Sequence, residues 1–146
     1  MAQINPYLHF KGNTEEVFNF YKSVFGGEFA TVMRFGEMPG CDEASANKMS
    51  DDEKSKIMHI ALPIGNSVLM AGDALESMRP NLQQGDKFSI SISTDSRKEA
   101  DKIFNGLAEG GKVEMPLADM FWGAYFGMTH DKFGIGWMVS FDEKYV

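Results

Sequence analysis

With 146 residues, 43% apolar and 24% charged, the chain has the balance of a globular protein with one core of ordinary size, not of a disordered polymer or two independent domains. A formal net charge of -7 opposes contact with a phosphate backbone, where affinity rests on Lys and Arg displacing counterions, so no nucleic-acid partner is expected. No apolar run is long enough to span a bilayer, the start Met1-Ala2-Gln3-Ile4-Asn5-Pro6 has no basic region followed by an apolar stretch, and Cys41 has no second cysteine to pair with; a cytoplasmic protein with no membrane partner is expected.

Asn5 to Phe10 reads as a strand, with Leu8 and Phe10 on one face and Tyr7 and His9 on the other. Asn13 stands where a helix cap is needed, and Glu16, three residues later, completes a capping box. Val17, Tyr21, Val24 and Phe25 recur at helical spacing, and Gly26-Gly27 ends that helix where a left-handed backbone costs little. Glu28 to Phe35 is expected as a strand. Gly36 to Lys56 is a polar insert of a length usual for a lid or binding loop, with a short helix at Ser50-Asp51-Asp52-Glu53.

Ile57 to Ile64 and Ser67 to Ala71 make a hairpin turned at Gly65-Asn66, and Ala74 to Asp86, with Pro80 and Gly85, is an irregular connection. From Lys87 to Thr94, Phe88, Ile90 and Ile92 alternate with Ser89, Ser91 and Ser93, which predicts one buried and one polar face. Ser96 with Glu99 forms a second capping box. Ala100, Ile103, Phe104 and Leu107 line one side of a helix that ends at Gly110-Gly111. Strands with aromatic residues follow, and a turn at Asp131-Lys132-Phe133-Gly134 feeds a last apolar strand containing Trp137.

The halves repeat. Glu16 falls against Glu99, Tyr21 against Phe104 or its neighbour, and Gly26-Gly27 against Gly110-Gly111, so residues 1–146 are read as one domain of two modules, about 1–73 and 86–146. Each module has one helix and about four strands, and the pair points to a cup around a small-molecule pocket.

Pro6-Tyr7-Leu8, Phe20-Tyr21, Phe25-Gly26, His59, Leu69-Met70, Asp73, the second glycine pair, Met115-Pro116-Leu117 and the Asp-Lys-Phe-Gly turn before Trp137 together carry a resemblance over nearly the whole chain. It is to the PhnB-like branch of the vicinal oxygen chelate superfamily, the glyoxalase, bleomycin-resistance and dioxygenase group. The resemblance implies an α+β fold of two βαβββ modules forming a curved, mixed eight-stranded sheet, with helices outside and the site within. Some members are labelled demethylubiquinone methyltransferases, yet no glycine-rich nucleotide loop followed by an acidic ribose clamp stands in this sequence.

Superfamily enzymes hold a divalent metal with His or Glu from the first and last strands of each module. Carried over without gaps, those positions fall on Pro6, Ser89, Met70 and Met138, none a usable ligand for a hard cation. A slip of one residue in the first strand turns Asn5, Tyr7 and His9 toward the cup instead. His59 is the candidate catalytic group, as a general base or an anchor for a polar ligand, its alternative being a half-buried histidine bonded to backbone. Trp122, Tyr125, Phe126 and Trp137 form an aromatic group that could line an apolar pocket; of these, Trp122 and Tyr125 suit a pocket or interface and Trp137 the core, while Met70 and Met138 suit a soft floor. His130 is expected to face solvent, and Asp73 and Asp119 to cap turns. Cys41 and the alternating serines have no base nearby in sequence.

The expected ligand-binding set is therefore Tyr7, His9, His59, Met70, Trp122, Tyr125 and Met138, with no metal ligand and no cofactor. The expected function is binding of a small, partly apolar molecule in a metal-free cup. One alternative is a lyase or dioxygenase dependent on a divalent metal, with His9, His59, Asp73 or Glu114 as donors; another is a non-enzymatic dimeric scaffold with a filled cup. A homodimer is expected because an open sheet edge must be covered.

Overall fold

In the computed structural model of the chain, residues 4–37, 50–75 and 88–143 are described, and they divide between two compact units, Met1–Gln83 and Gln84–Val146. The first unit runs β1 (Tyr7–Phe10), α1 (Thr14–Phe25), β2 (Thr31–Arg34), a 3-10 turn (Phe35–Glu37), α2 (Asp51–Ser55), β3 (Ile57–Ile64) and β4 (Ser67–Asp73). Its sheet has the order β1-β4-β3-β2, with β1 parallel to β4 and the other neighbours antiparallel.

The period-two pattern decides which side of this sheet is covered. Phe10, Ile60, Leu62, Leu69 and Ala71 are buried, as are Val17, Phe18 and Tyr21 of α1, which packs on β3 and β4. Each large apolar side chain so buried contributes about 1.5–3 kcal/mol. At the far end of α1, Gly26 takes a positive φ of 78° and returns its N–H to the Lys22 carbonyl, as the glycine pair predicted.

The start of α1 departs from expectation. Asn13 makes no side-chain cap bond. Instead the carboxylate of Asp73, at the end of β4, accepts from Gly12 N at 3.1 Å, Thr14 N at 3.0 Å and Thr14 Oγ1 at 2.7 Å, while its second oxygen accepts from Ile57 N at 2.8 Å. A fully charged acceptor at the positive end of the helix dipole outcompetes a neutral amide. Asp73 thus ties β4, α1 and the start of β3 together, a larger task than capping a turn.

Two boundaries also move. The expected strand from Glu28 to Phe35 is confined to Thr31–Arg34, because a bulge between Met33 and Arg34 breaks the ladder and Phe35 enters the 3-10 turn with its ring buried. The short helix of the insert is present and has a complete capping box between Ser50 and Glu53. The rest of the insert, 38–49, lies outside the described residues, as do 76–87 of the connection.

The second unit repeats the plan with β5 (Ile90–Ser93), α3 (Arg97–Ala108), β6 (Lys112–Asp119), β7 (Tyr125–His130) and β8 (Gly136–Phe141), ordered β5-β8-β7-β6, again with only the β5–β8 pair parallel. The expected βαβββ modules and all eight strands are therefore present, four to each sheet. Ala100, Ile103, Phe104 and Leu107 form the buried stripe of α3, facing Trp137 and Val139, both buried. Ser96 Oγ accepts from Glu99 N at 3.0 Å, but Glu99 takes Asp95 N at 3.4 Å, so only half of the second capping box forms. Phe88 was expected on the buried face with Ile90 and Ile92; it precedes the short β5 and is 85% exposed.

Candidate functional site

Each sheet has a second face, turned away from its own helix, and the register shows what stands there. In the first module Tyr7 pairs with Met70, His9 with Gly72, and His59 with Met33, so Tyr7, His9, His59 and Met70 share one face. The slipped register of the first strand is the observed one. The Tyr7 ring centroid lies 5.1 Å from that of His9 and 5.7 Å from that of His59, stacked on the latter at 26°.

The absence of a side chain at position 72 makes this cluster possible. A Cβ there would meet the Met58 carbonyl at 2.5 Å and Tyr7 Oη at 2.9 Å. With only hydrogen at Gly72, the phenol settles over the backbone and donates to the Met58 carbonyl at 3.4 Å. Burial pushes the Tyr7 phenol above its ordinary value, so it is a neutral donor at pH 7.

His59, the candidate catalytic group, is half-buried in β3 with its ring against Tyr7. His9 is exposed. Two imidazoles, one thioether and a neutral phenol are a poor donor set for a hard divalent cation, which prefers carboxylate and imidazole together. Among the described residues no three His, Cys, Asp or Glu side chains come together. Asp73 is committed to backbone N–H groups, and Glu114 to His130, whose Nδ1 lies 2.6 Å from its carboxylate. His130 was expected to face solvent in the turn with Asp131; it ends β7, its side chain is about one-third exposed, and it has this acidic partner on the neighbouring strand.

In the second module the face away from α3 carries Ser91, Ser93, Phe126, Met128, Met138 and Ser140. A pocket of about 300 Å³ opens there, lined by Ser93, Thr94, Trp122, Ala124, Phe126, Ser140 and Asp142. Trp122 stands edge-on to Phe126 at 5.9 Å and is half exposed. The Thr94 hydroxyl lies 3.0 Å from the Ser96 carbonyl and 3.1 Å from that of Ser140, which fixes the rim. Met138 shares this sheet face without lining the pocket.

Tyr125 does not join this group. Its position in β7 puts it on the helix side, where its hydroxyl donates to Asp101 of α3 and Arg97 lies 4.5 Å from its ring centroid while pairing with Asp119. The bond to Asp101, and after it burial, raises the Tyr125 phenol. The expectation that it lines a pocket with Trp122 overlooked the alternation of a strand, which sends neighbours Tyr125 and Phe126 to opposite faces. Asp131, buried at the β7–β8 turn, accepts from Phe133 N, Ile135 N and Trp137 Nε1, so Trp137 is a core residue as expected.

Sequence reasoning missed Ser140 and Asp142. The signal was available, since Met138, Ser140 and Asp142 alternate with Trp137, Val139 and Phe141 along one strand and its exit. Thr94 and Ala124 gave no comparable signal.

Comparison with known proteins follows the whole chain. Residues 2–140 match the model of the family described as 3-demethylubiquinone-9 3-methyltransferase. Protein YjdN of Escherichia coli K12 is 31% identical over 140 residues, covering 94% of this chain and 93% of its own. Protein PA1353 from Pseudomonas aeruginosa, a crystal structure, is 41% identical with a TM-score of 0.82, covering 97% of this chain and 98% of its own. A PhnB protein from Bacillus cereus, described as a putative 3-demethylubiquinone-9 3-methyltransferase, is 26% identical with a TM-score of 0.72, covering 96% and 99%. A glyoxalase/bleomycin resistance protein/dioxygenase family enzyme from Burkholderia phytofirmans, 15% identical over 92% of this chain and 95% of its own, shares the fold at a TM-score of 0.60. The chain belongs to the family described as 3-demethylubiquinone-9 3-methyltransferase; it is similar to the PhnB protein and shares its fold with the glyoxalase/bleomycin resistance protein/dioxygenase family enzyme.

Proposed function

We propose that this protein binds a small, partly apolar molecule on the helix-free sheet face of its second module, without a resident metal. The observation that carries the reading is the pocket of about 300 Å³ with an aromatic wall, Trp122 and Phe126, and a hydroxyl and carboxylate rim. That volume and mixed lining are those of a small-ligand site. The Tyr7, His9, His59 and Met70 face of the first module is, taken by itself, a separate candidate surface, with His59 as its polar anchor. Methyl transfer, named in the family's description, has no place in it, because the sequence carries no glycine-rich nucleotide loop.

The same reading makes the protein a cytoplasmic homodimer. No helix among the described residues is long and apolar enough to cross a membrane. Edge strand β6 leaves Val113 and Met115 exposed, which favours cover by a second copy.

The test is thermal unfolding of the full chain against a panel of flat and apolar compounds, with and without chelator. A ligand at a hundredfold its Kd should stabilise the protein by about 2.7 kcal/mol, unchanged by chelator and lost in Trp122→Ala. Stoichiometric metal that chelator removes, and that His9→Ala or His59→Ala abolishes, would replace this reading with the metal-dependent one. Absence of any stabilising compound would leave the scaffold reading.

A further inference from the structure

The alternating serines have no base nearby in sequence, but the second module brings one to Ser89 from another strand. His130 ends β7, Gly136 opens β8 opposite it, and Ser89 immediately precedes Ile90, the partner of Trp137. All three positions lie on the helix-free face, in the row beyond Met128 and Met138. A Cβ built at Gly136 would stand 3.2 Å from Ser89 Oγ and 3.4 Å from His130 Nε2. Two polar side-chain atoms thus converge over a residue with no side chain of its own. Gly136 is not among the glycines of positive φ, so its backbone conformation does not by itself call for glycine.

Glu114 fixes what the imidazole offers. It is the extra residue of the bulge between Val113 and Met115, and its carboxylate lies 2.6 Å from His130 Nδ1. A carboxylate only accepts, so Nδ1 carries the hydrogen, and in the neutral imidazole Nε2 presents its lone pair. Neither Nε2 nor Ser89 Oγ has a hydrogen-bond partner among the described residues. A group that completes the pair donates to Nε2 and accepts from Ser89 Oγ. A hydroxyl does both, whereas an ether only accepts. We infer that Ser89 and His130, meeting over Gly136 and held by Glu114, form a hydroxyl-binding site for a neutral alcohol or phenol whose apolar part rests on Met128 and Met138. Those methionines are half-buried and paired across β7 and β8, and thioether side chains adapt to such a group. The site is four residues along the strands, roughly 13 Å, from the row of Phe126 and Ser140, and so stands apart from the pocket proposed above.

The experiment titrates benzyl alcohol and benzyl methyl ether into the full chain at pH 8, following the ring nitrogens of its three histidines by NMR, with the His130 signals assigned by their loss in His130→Gln. Benzyl alcohol should move the His130 Nε2 signal at millimolar concentration and bind about fivefold more tightly than the ether, the worth of about one net hydrogen bond. Ser89→Ala should bring the alcohol down to the ether's affinity. Gly136→Ala, whose methyl group fills the meeting point, should abolish the His130 response to both probes. Should that variant fail to fold, the comparison of Ser89→Ala with the native chain decides. Trp122→Ala, in the other pocket, should leave the response unchanged. Equal binding of the two probes, a silent His130 signal, or a preference that survives Ser89→Ala overturns the inference and leaves the pocket reading standing. A response lost in Trp122→Ala places the probe in that pocket and overturns the inference as well.

Discussion

The two modules share strand order, pairing sense and helix placement, yet they solve two local problems in opposite ways. In the first, the N-terminus of α1 is held by Asp73, which lies 59 positions beyond Thr14. In the second, the N-terminus of α3 is held by Ser96, three positions before Glu99. The helix-free faces differ as well. Equivalent positions carry His9, Gly72 and His59 in the first module and Ser93, Ser140 and Phe126 in the second. Rings crowd over a glycine in one, whereas small hydroxyl side chains leave space beside Trp122 in the other. A shared backbone therefore sets where a site can lie, and side-chain volume decides whether it is a filled platform or a cavity.

The contrast can be broken most forcefully at Asp73. Asp73→Ala leaves the N–H groups of Gly12, Thr14 and Ile57 without their acceptor in a buried setting, and should cost about 3 kcal/mol in denaturant unfolding. A loss below about 1 kcal/mol would show that water or Asn13 can take over, and that the nonlocal cap is dispensable.

Next comes the pair Gly72 and Ser140. Gly72→Ala drives a methyl group into the Met58 carbonyl and the Tyr7 phenol, for an expected loss of about 1–3 kcal/mol. Ser140→Ala, at the equivalent place, should stay within about 0.5 kcal/mol of the native chain. Equal thermal midpoints for the two variants would remove the distinction between crowded and open faces. Ser96→Ala tests the local cap and should cost about 1 kcal/mol by the same unfolding measurement, clearly less than Asp73→Ala.

The smallest effect concerns charge. The hydrogen bond from Arg34, assisted by its positive charge and opposed by burial, holds the Glu15 carboxyl below its ordinary range. A depressed carboxyl contributes stability that is present above its unfolded pKa and is lost as pH falls through the folded one. Arg34→Gln should therefore flatten the acid limb of the stability profile slightly, and less so at high salt, because the pair is partly exposed. An unchanged acid limb in low salt would show the pair to be energetically silent.

Much of this architecture was legible because it is written in local periodicity. The stripe Ala100, Ile103, Phe104 and Leu107, the Gly65-Asn66 turn and the glycine stops each depend on residues within a few positions, and all were found in place. Errors arose where a distant group intervened. Asn13 has the right chemistry for a cap, but a charged acceptor brought by β4 displaces it. Phe88 continues the alternation of β5, yet the ladder begins only at Ile90. Of the candidate site, Tyr7, His9, His59 and Met70 could be placed together once the faces of β1 were read correctly. Tyr125 was grouped with Trp122 by nearness in sequence, which the strand's alternation contradicts.

The sequence by itself determined the two βαβββ modules, their helices and hairpins, and the family, since spacing of apolar residues and turn glycines constrains neighbours along the chain. Tertiary structure alone decided that Asp73 caps α1, that the Tyr7 ring lies over Gly72, and that Ser93, Ser140 and Asp142 gather beside Trp122. Those arrangements join residues whose proximity comes from strand register, and register is set by the burial of whole faces, which no local pattern encodes.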